Sequence, residues 1–380
     1  MNLLEIIEII RKVYRQQQEH IPLHVPKFAG KEKEYLCDTI DSTYVSSVGP
    51  YVDKFEQMMQ KITGATKAVA VVNGTCGIQV ALRLVGVKPG EEVLTQALTF
   101  IATANAVHYN GAHSVFLDVD KDSMGLSPTA LHRFLNEFAV KRADGVYNKE
   151  SDRRIAACMP MHTFGFMCRI EEIVAICKEW GIPVVEDAAE ALGSGIGLRS
   201  AGTFGDIGVV SLNGNKIVTS GGGGAVLTMD NELGNRAKHL TTTAKVPHSW
   251  EYVHDEVGYN FRMPNINAAL ACAQLEQLNK FLVEKANVYG EYNELFENHS
   301  IEFRRPLVGT YCNHWLMCIQ LPDKETRDAF LKLSNESGVM TRPIWRLMNK
   351  LPMYLHSKAD SQINAQFLED RIVNIPSSVR

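Results

Sequence analysis

The chain lacks the marks of several large protein classes. Its eight cysteines show no Cys-x-x-Cys pair and no even spacing, which excludes a disulfide framework and the usual zinc modules. Cys76, Cys158, Cys177 and Cys272 stand in apolar stretches and read as reduced core residues. No apolar run approaches the roughly 18 residues that a membrane helix needs. Near the N-terminus, Glu5, Glu8, Arg11 and Lys12 break up the segment that a signal peptide would keep apolar. An excess of one charge is missing too. The 39 basic and 43 acidic residues leave a net charge of −4, so neither nucleic acid nor an anionic membrane is an expected partner. No repeat, low-complexity tract or charged tail stands out. The expectation is a cytoplasmic protein without a metal site.

What is present is an alternation of strand-like and helix-like segments. With 380 residues and 45% hydrophobic content, the chain can bury more than one core. Leu3, Ile6, Ile7, Ile10, Val13 and Tyr14 recur at helical spacing, which predicts an amphipathic helix over 1–18 packed on its own domain or on a subunit partner. From about residue 65, short apolar runs read as strands at 68–72, 92–96, 115–119, 155–159 and 184–186. Helices are expected between them over 76–85, 101–109 and 169–180. Runs without an exposed face mean a mostly parallel sheet between helices. Segments 209–212 and 225–229, joined by Gly-rich chain, predict an antiparallel excursion within it. One long helix is expected from 266 to about 296, then a strand at 315–321 and a helix at 324–334. The implied division is an N-terminal helix and arm (1–30), a large α/β domain (31–265), and a linking helix with a small α+β domain (266–380).

The candidate chemistry centres on Lys216, in Ser211-Leu212-Asn213-Gly214-Asn215-Lys216, shortly before four glycines at 221–224. A lysine that forms an imine must reach its neutral amine, and no carboxylate among its sequence neighbours favours the ammonium form. The glycines would let backbone approach a flat cofactor closely. An ordinary lysine in a surface turn fits the same residues. Asp187 comes 29 residues earlier, at the carboxyl end of an apolar strand, where ligands bind in open α/β sheets. A carboxylate there suits the protonated ring nitrogen of an electron-sink cofactor, or else caps a helix over 188–192. Glu190, three residues on, is placed for the cofactor's phenolic oxygen or the substrate. Asn73-Gly74-Thr75 turns a strand into a helix and, with the Ser211 hydroxyl, can hold a phosphate; a plain turn looks the same. Phe100 opens another helix, where its ring either stacks on a cofactor or fills the core. The loop 258–264, which holds Asn260, either binds a ligand or caps the following helix. Gly214-Asn215-Lys216-Ile217 fails the P-loop pattern, and Gly193, Gly195 and Gly197 miss the dinucleotide spacing.

Together, Asp41-Ser42-Thr43-Tyr44-Val45-Ser46-Ser47-Val48-Gly49-Pro50, Val72-Asn73-Gly74-Thr75, Leu98-Thr99-Phe100, Val185-Glu186-Asp187-Ala188-Ala189-Glu190, Gly202-Thr203-Phe204-Gly205-Asp206, 211–224 and 258–264 resemble the DegT/DnrJ-type sugar aminotransferases, over nearly the whole chain from Ile21. The resemblance implies fold type I of the pyridoxal 5′-phosphate (PLP) transferases, aspartate-aminotransferase-like. That is an α/β fold with a mainly parallel seven-stranded sheet between helices and a small C-terminal α+β domain. It implies that Lys216 carries the cofactor covalently, with Asp187 at the pyridine nitrogen, Phe100 on the ring, and Gly74, Thr75 and Ser211 around the phosphate. Asn260 matches an asparagine donated across a homodimer interface, which implies sites shared between subunits. Glu190 stands where many relatives carry Gln, and His162 matches a recurrent histidine that is placed with the substrate-binding residues. Ser47, Gly49, Arg342 and Trp345 fall in regions that meet the nucleotide-sugar. The N-terminal helix and the tail Arg371-Ile372-Val373-Asn374-Ile375-Pro376-Ser377-Ser378 are similar to a branch of legionaminic-acid pathways. That branch acts on UDP-2-acetamido-2,6-dideoxy-4-keto-glucose, with L-glutamate as donor and pyridoxamine 5′-phosphate between the two halves. GDP-perosamine synthases and C3 aminotransferases are the neighbouring alternatives. Dehydratases of this fold carry His in place of the lysine, so Lys216 speaks against that activity. Retention of Lys216, Asp187 and the phosphate turn speaks against a non-catalytic sensor.

Overall fold

In the computed structural model, which describes residues 2–299 and 301–380, the apolar runs assemble into one seven-stranded sheet. Strands β1 (Lys67–Val71), β2 (Glu92–Gln96), β3 (His113–Leu117), β4 (Ile155–Met159), β5 (Val185–Asp187), β6 (Ile207–Ser211) and β7 (Gly224–Thr228) lie in the order β1-β7-β6-β5-β4-β2-β3. The join between β5 and β4 consists of parallel bridges from Cys158 to Val184 and from Met161 to Asp187. Only β7 is reversed, antiparallel to both β1 and β6; the remaining pairs are parallel. The expected antiparallel excursion is therefore the β6–β7 pair. β2, β4, β6 and β7 are buried at every position, as a sheet covered on both faces requires.

The helices include α1 (Leu3–Tyr14), α2 (Gly74–Leu84), α3 (Ile101–Tyr109), α4 (Ile170–Trp180), α5 (Asn265–Leu275), α6 (Leu278–Asn298) and α7 (Lys324–Glu336). α2 lies close on the sheet, because a Cβ at Gly77 would come within 2.8 Å of Val209. α4 stops at Gly181, whose φ of 74° closes the helix in the left-handed conformation. The single helix expected over 266–296 is two, α5 and α6. The amides of Gln274 and Gln277 both donate to Glu32 Oε1 at 2.6 Å. Bringing residues three apart onto one acceptor tightens the turn, and Gln277 N bonds back to Gln274 O.

A second, antiparallel sheet of β8 (Glu302–Phe303), β9 (Met317–Gln320), β10 (Arg342–Pro343) and β11 (Ile372–Ile375) has the order β8-β9-β11-β10. Ile6, Ile10 and Val13 of α1 join Tyr292, Phe296, Phe330 and Val373 in one core beside it. The N-terminal amphipathic helix thus packs on its own chain. No described helix is long and apolar enough to cross a membrane.

Candidate active site

The carboxyl ends of β1, β2, β5 and β6 face the same way and open into a cavity of about 640 Å³. At one end, Asn73 caps α2 by accepting the Cys76 N–H at 2.8 Å. Gly74 and Thr75 begin the helix against the cavity, and the Ser211 hydroxyl closes in from β6. A Cβ at Gly74 would lie 3.0 Å from Ser211 Cβ, so a larger residue would fill this notch.

Asp187 ends β5 and is only 2% exposed. Its Oδ2 accepts the Thr103 hydroxyl at 2.6 Å, and Oδ1 accepts the Ala189 N–H at 3.1 Å. No helix follows it. Residues 188–192 form turns, so its side chain orders a turn rather than capping a helix. Burial raises its pKa above the usual carboxylate range; Thr103, Ala189 and Lys216 offset part of that rise. Among the described residues it has no ion-pair partner.

Lys216 hangs from a loop tied at its neck by Ser220 N to Leu212 O and Leu212 N to Gly223 O, both 2.9 Å. Two expectations about it are corrected. A carboxylate does stand beside it: Glu190 Oε1 lies 3.1 Å from Nζ, carried there by the turn after β5. Phe164 N–H holds the other Glu190 oxygen at 2.8 Å. Burial raises the Glu190 pKa, and Lys216 works against the rise. The four glycines, in turn, do not line the cavity. They bring the loop tightly back into β7, where a Cβ at Gly224 would lie 2.6 Å from Val210 O.

Sequence reasoning missed Trp315. Its ring centroid sits 3.9 Å from Lys216 Nζ, within cation–π range. Its indole N–H donates to Asn215 O at 2.6 Å. The Lys285 side-chain nitrogen, fully buried, donates to the Trp315 carbonyl at 2.7 Å. Trp315 follows the lysine by about a hundred positions, and nothing local in the sequence pairs the two. Phe164 and Thr103 were missed for the same reason.

Phe100 is 48% exposed and leans toward the cavity, 6.3 Å from the Trp345 ring. Arg342 lines the mouth, with Nη1 fixed by Asn335 Oδ1 (3.0 Å) and Thr341 O (2.7 Å). His162, expected among the substrate contacts, does not reach the cavity. It is 0% exposed, with Nε2 2.9 Å from Glu186 Oε2 and Nδ1 3.3 Å from the Cys168 backbone nitrogen. Burial alone would lower its pKa, but Cys168 and Glu186 outweigh that and raise it to about 10. Ser47 and Gly49 also lie outside the cavity. Their segment rides on the start of α5, where Asn265 Nδ2 donates to Tyr44 O at 2.6 Å. Asn260 is exposed, accepts from Arg262 Nε at 2.9 Å, and lines no part of the cavity of its own chain.

These residues fit PLP. The notch at the start of α2 suits a phosphate. The buried Asp187 carboxylate, with no cation in contact, matches a pyridinium N–H, and Lys216 stands within the same cavity.

Comparison with known proteins agrees. The model of the DegT/DnrJ/EryC1/StrS aminotransferase family matches residues 26–380. The chain is 33% identical over 362 residues to the putative pyridoxal phosphate-dependent aminotransferase EpsN of Bacillus subtilis (strain 168), covering 94% of this chain and 90% of that protein. It is also 33% identical over 359 residues to the GDP-perosamine synthase of Escherichia coli O157:H7, covering 94% and 93%. Among solved structures, the aminotransferase TlmJ from Streptoalloteichus hindustanus superposes with a TM-score of 0.85 at 24% identity, over 94% of this chain and 93% of that one.

Proposed function

We propose, for a chain that belongs to the DegT/DnrJ/EryC1/StrS aminotransferase family and is a PLP-dependent aminotransferase of fold type I, that it aminates C4 of a UDP-linked 4-keto-6-deoxy-N-acetylhexosamine. L-glutamate gives the amine and leaves as 2-oxoglutarate; the keto-sugar leaves as the amino sugar. The convergence of Lys216, Asp187 and the Gly74–Thr75–Ser211 notch on one cavity carries the reading. The motifs along the chain, including the N-terminal helix and the tail at 371–378, support the legionaminic-acid type of sugar. The cavity belongs to a cytoplasmic biosynthetic enzyme on this reading.

Bound PLP supplies an aldehyde carbon for amines and a ring that accepts electrons while its nitrogen stays protonated. Asp187 holds the proton at that nitrogen, itself oriented by Thr103 and Ala189. Lys216 anchors the cofactor and, once displaced, takes the proton from the donor α-carbon. It returns a proton to the sugar's C4 in the second half. Phe100 covers the ring face, and Gly74, Thr75 and Ser211 hold the phosphate. Glu190 steadies the displaced Lys216 amine, and Trp315 keeps it within the cavity. Arg342 and Trp345 meet the nucleotide-sugar at the mouth.

A homodimer completes the site. Tyr44, Val48, Trp250 and Tyr252 are exposed at 53%, 67%, 78% and 81%, and a second copy of the chain would cover them and bring its Asn260 to the phosphate. Ser47 and Gly49 would then meet substrate across the same interface.

Borohydride reduction of the holoenzyme followed by peptide mapping tests the anchor, with the label expected on Lys216. Label elsewhere, or none, defeats the assignment. A GDP-linked 4-keto-6-deoxy sugar is the second reading, favoured by the likeness to GDP-perosamine synthase. Turnover of a panel of UDP- and GDP-linked 4-keto sugars, with product NMR, decides between them; a preference for the GDP sugar removes the first.

A further inference from the structure

At the opposite edge of the sheet, where β2 and β3 begin, lies a second cavity, of about 450 Å³, that the transamination does not use. Its rim carries His108, His113, Arg153 and His356, all exposed. The two carboxylates nearby are already engaged. Glu150 pairs with Lys358, and Glu92 accepts from Asn148 at 2.9 Å and Ser151 at 2.7 Å. Among the described residues no carboxylate pairs with the Arg153 guanidinium; its bonds are those of the backbone, the N–H to Ser151 Oγ at 3.3 Å and the carbonyl accepting from Asn148 N–H at 2.9 Å. Within the wall, the Ser114 hydroxyl is buried without a hydrogen-bond partner, in a residue only 4% exposed. A buried hydroxyl left so is a donor without an acceptor, which native structures rarely keep. Burial, then Arg153 and His108, push the His113 pKa below its ordinary value, with Glu92 opposing. Arg153 is thus the lining cation left without a carboxylate partner, and an oxyanion would supply its counter-charge.

The walls of this cavity continue into those of the active site. α3 starts beside Phe100, its Thr103 holds Asp187, and it runs to His108 on the far rim. Tyr354 lines the far cavity and donates to Asn105 Oδ1, in the middle of α3, at 2.6 Å. A ligand gripping His108 thus bears on the helix that orients the Asp187 carboxylate, and Tyr354 ties the cavity wall to the middle of that helix. The negative end of α3 works against an anion here, but only as a partial charge against the full charge of Arg153.

We propose that this cavity is an effector site for a phosphate-bearing metabolite, held by Arg153 and the imidazoles of His108, His113 and His356, with the unsatisfied Ser114 hydroxyl in the wall behind them, and felt at the active site through α3. The coupling, though not the binding, rests on the role proposed for Asp187.

Calorimetric titration of the holoenzyme with inorganic pyrophosphate tests it, alongside kcat and KM measured with and without the same probe. Saturable binding that alters kcat or KM is expected. The double surface variant Arg153→Ala/His356→Ala should keep basal turnover and weaken binding by at least about tenfold, the scale of lost charge-assisted contacts. Arg342→Ala, at the other cavity, should leave the binding in place. No saturable binding, or binding lost with Arg342→Ala rather than with the surface pair, overturns the site. Binding that leaves both kinetic constants unchanged overturns the effector role. The titration needs no turnover, so its failure is distinct from a failure of the proposed reaction.

Discussion

Glu186 and Asp187 are neighbours on β5, buried alike at 0% and 2%, yet their surroundings differ in kind. Glu186 accepts backbone N–H groups from Gly202 (3.0 Å), Phe204 and Gly205 (2.6 Å) and faces His162 at 2.9 Å. Every acceptor direction is used, and a potential cation is included. Asp187 has one hydroxyl and one N–H, and no cation. The first arrangement is closed and holds the loop 202–205 to the strand. The second is open, and its burial disfavours the charge that the chemistry needs. Adjacent residues of the same type thus separate into a fastening and a reactive group, according to what is left for a ligand to satisfy.

The sharpest way to break this contrast is Asp187→Asn. Without a carboxylate at the ring nitrogen, kcat should fall by roughly 10³-fold, the scale of a lost electrostatic stabiliser, while the apoenzyme unfolds at an unchanged or higher temperature. An apoenzyme that loses stability instead would place Asp187 among the fastenings. Glu186→Gln should do the reverse. It leaves the His162 imidazole without its counter-charge, and chemical denaturation should show a loss of about 3 kcal/mol, with turnover per folded molecule retained.

The pH dependence sharpens the same difference. The folded pKa of His162, about 10, lies above its ordinary value of 6.5. Its contribution is then fully present below about pH 6.5 and is lost as pH rises through about 10. The melting temperature of the wild type should decline across that window, and a flat profile would remove the charged pair. Asp187 and Glu190 are also raised, so their contribution to the apoenzyme is present below the ordinary carboxylate range and lost as pH rises above it. The smallest effect is expected from Thr103→Val, which strips one hydrogen bond from Asp187. Cofactor affinity should weaken by about 1 kcal/mol, near fivefold, in equilibrium dialysis, with stability little altered.

The strands were legible in the sequence because a sheet covered on both faces demands continuous apolar runs, and β2 and β4 fall where those runs lie. Asp187 was legible as an acid ending such a run. The carboxylate beside Lys216 was not, since only folding brings Glu190 to 3.1 Å. The glycines at 221–224 misled because a close approach can serve a ligand or the chain itself, and here it serves the return to β7. His162 misled differently: a recurrent histidine near a catalytic strand is as readily a buried partner for Glu186 as a substrate contact.

The indole of Trp315 is fastened to the loop of Lys216 through Asn215, and its carbonyl to α6 through Lys285. The loop of the reactive amine therefore spans both sheets, rooted between β6 and β7 and tied across to the C-terminal part by the indole. A rigid swing of the C-terminal sheet to admit a bulky guest would have to break that tie, so passage falls to the side chains at the entrance, Arg342 and Trp345.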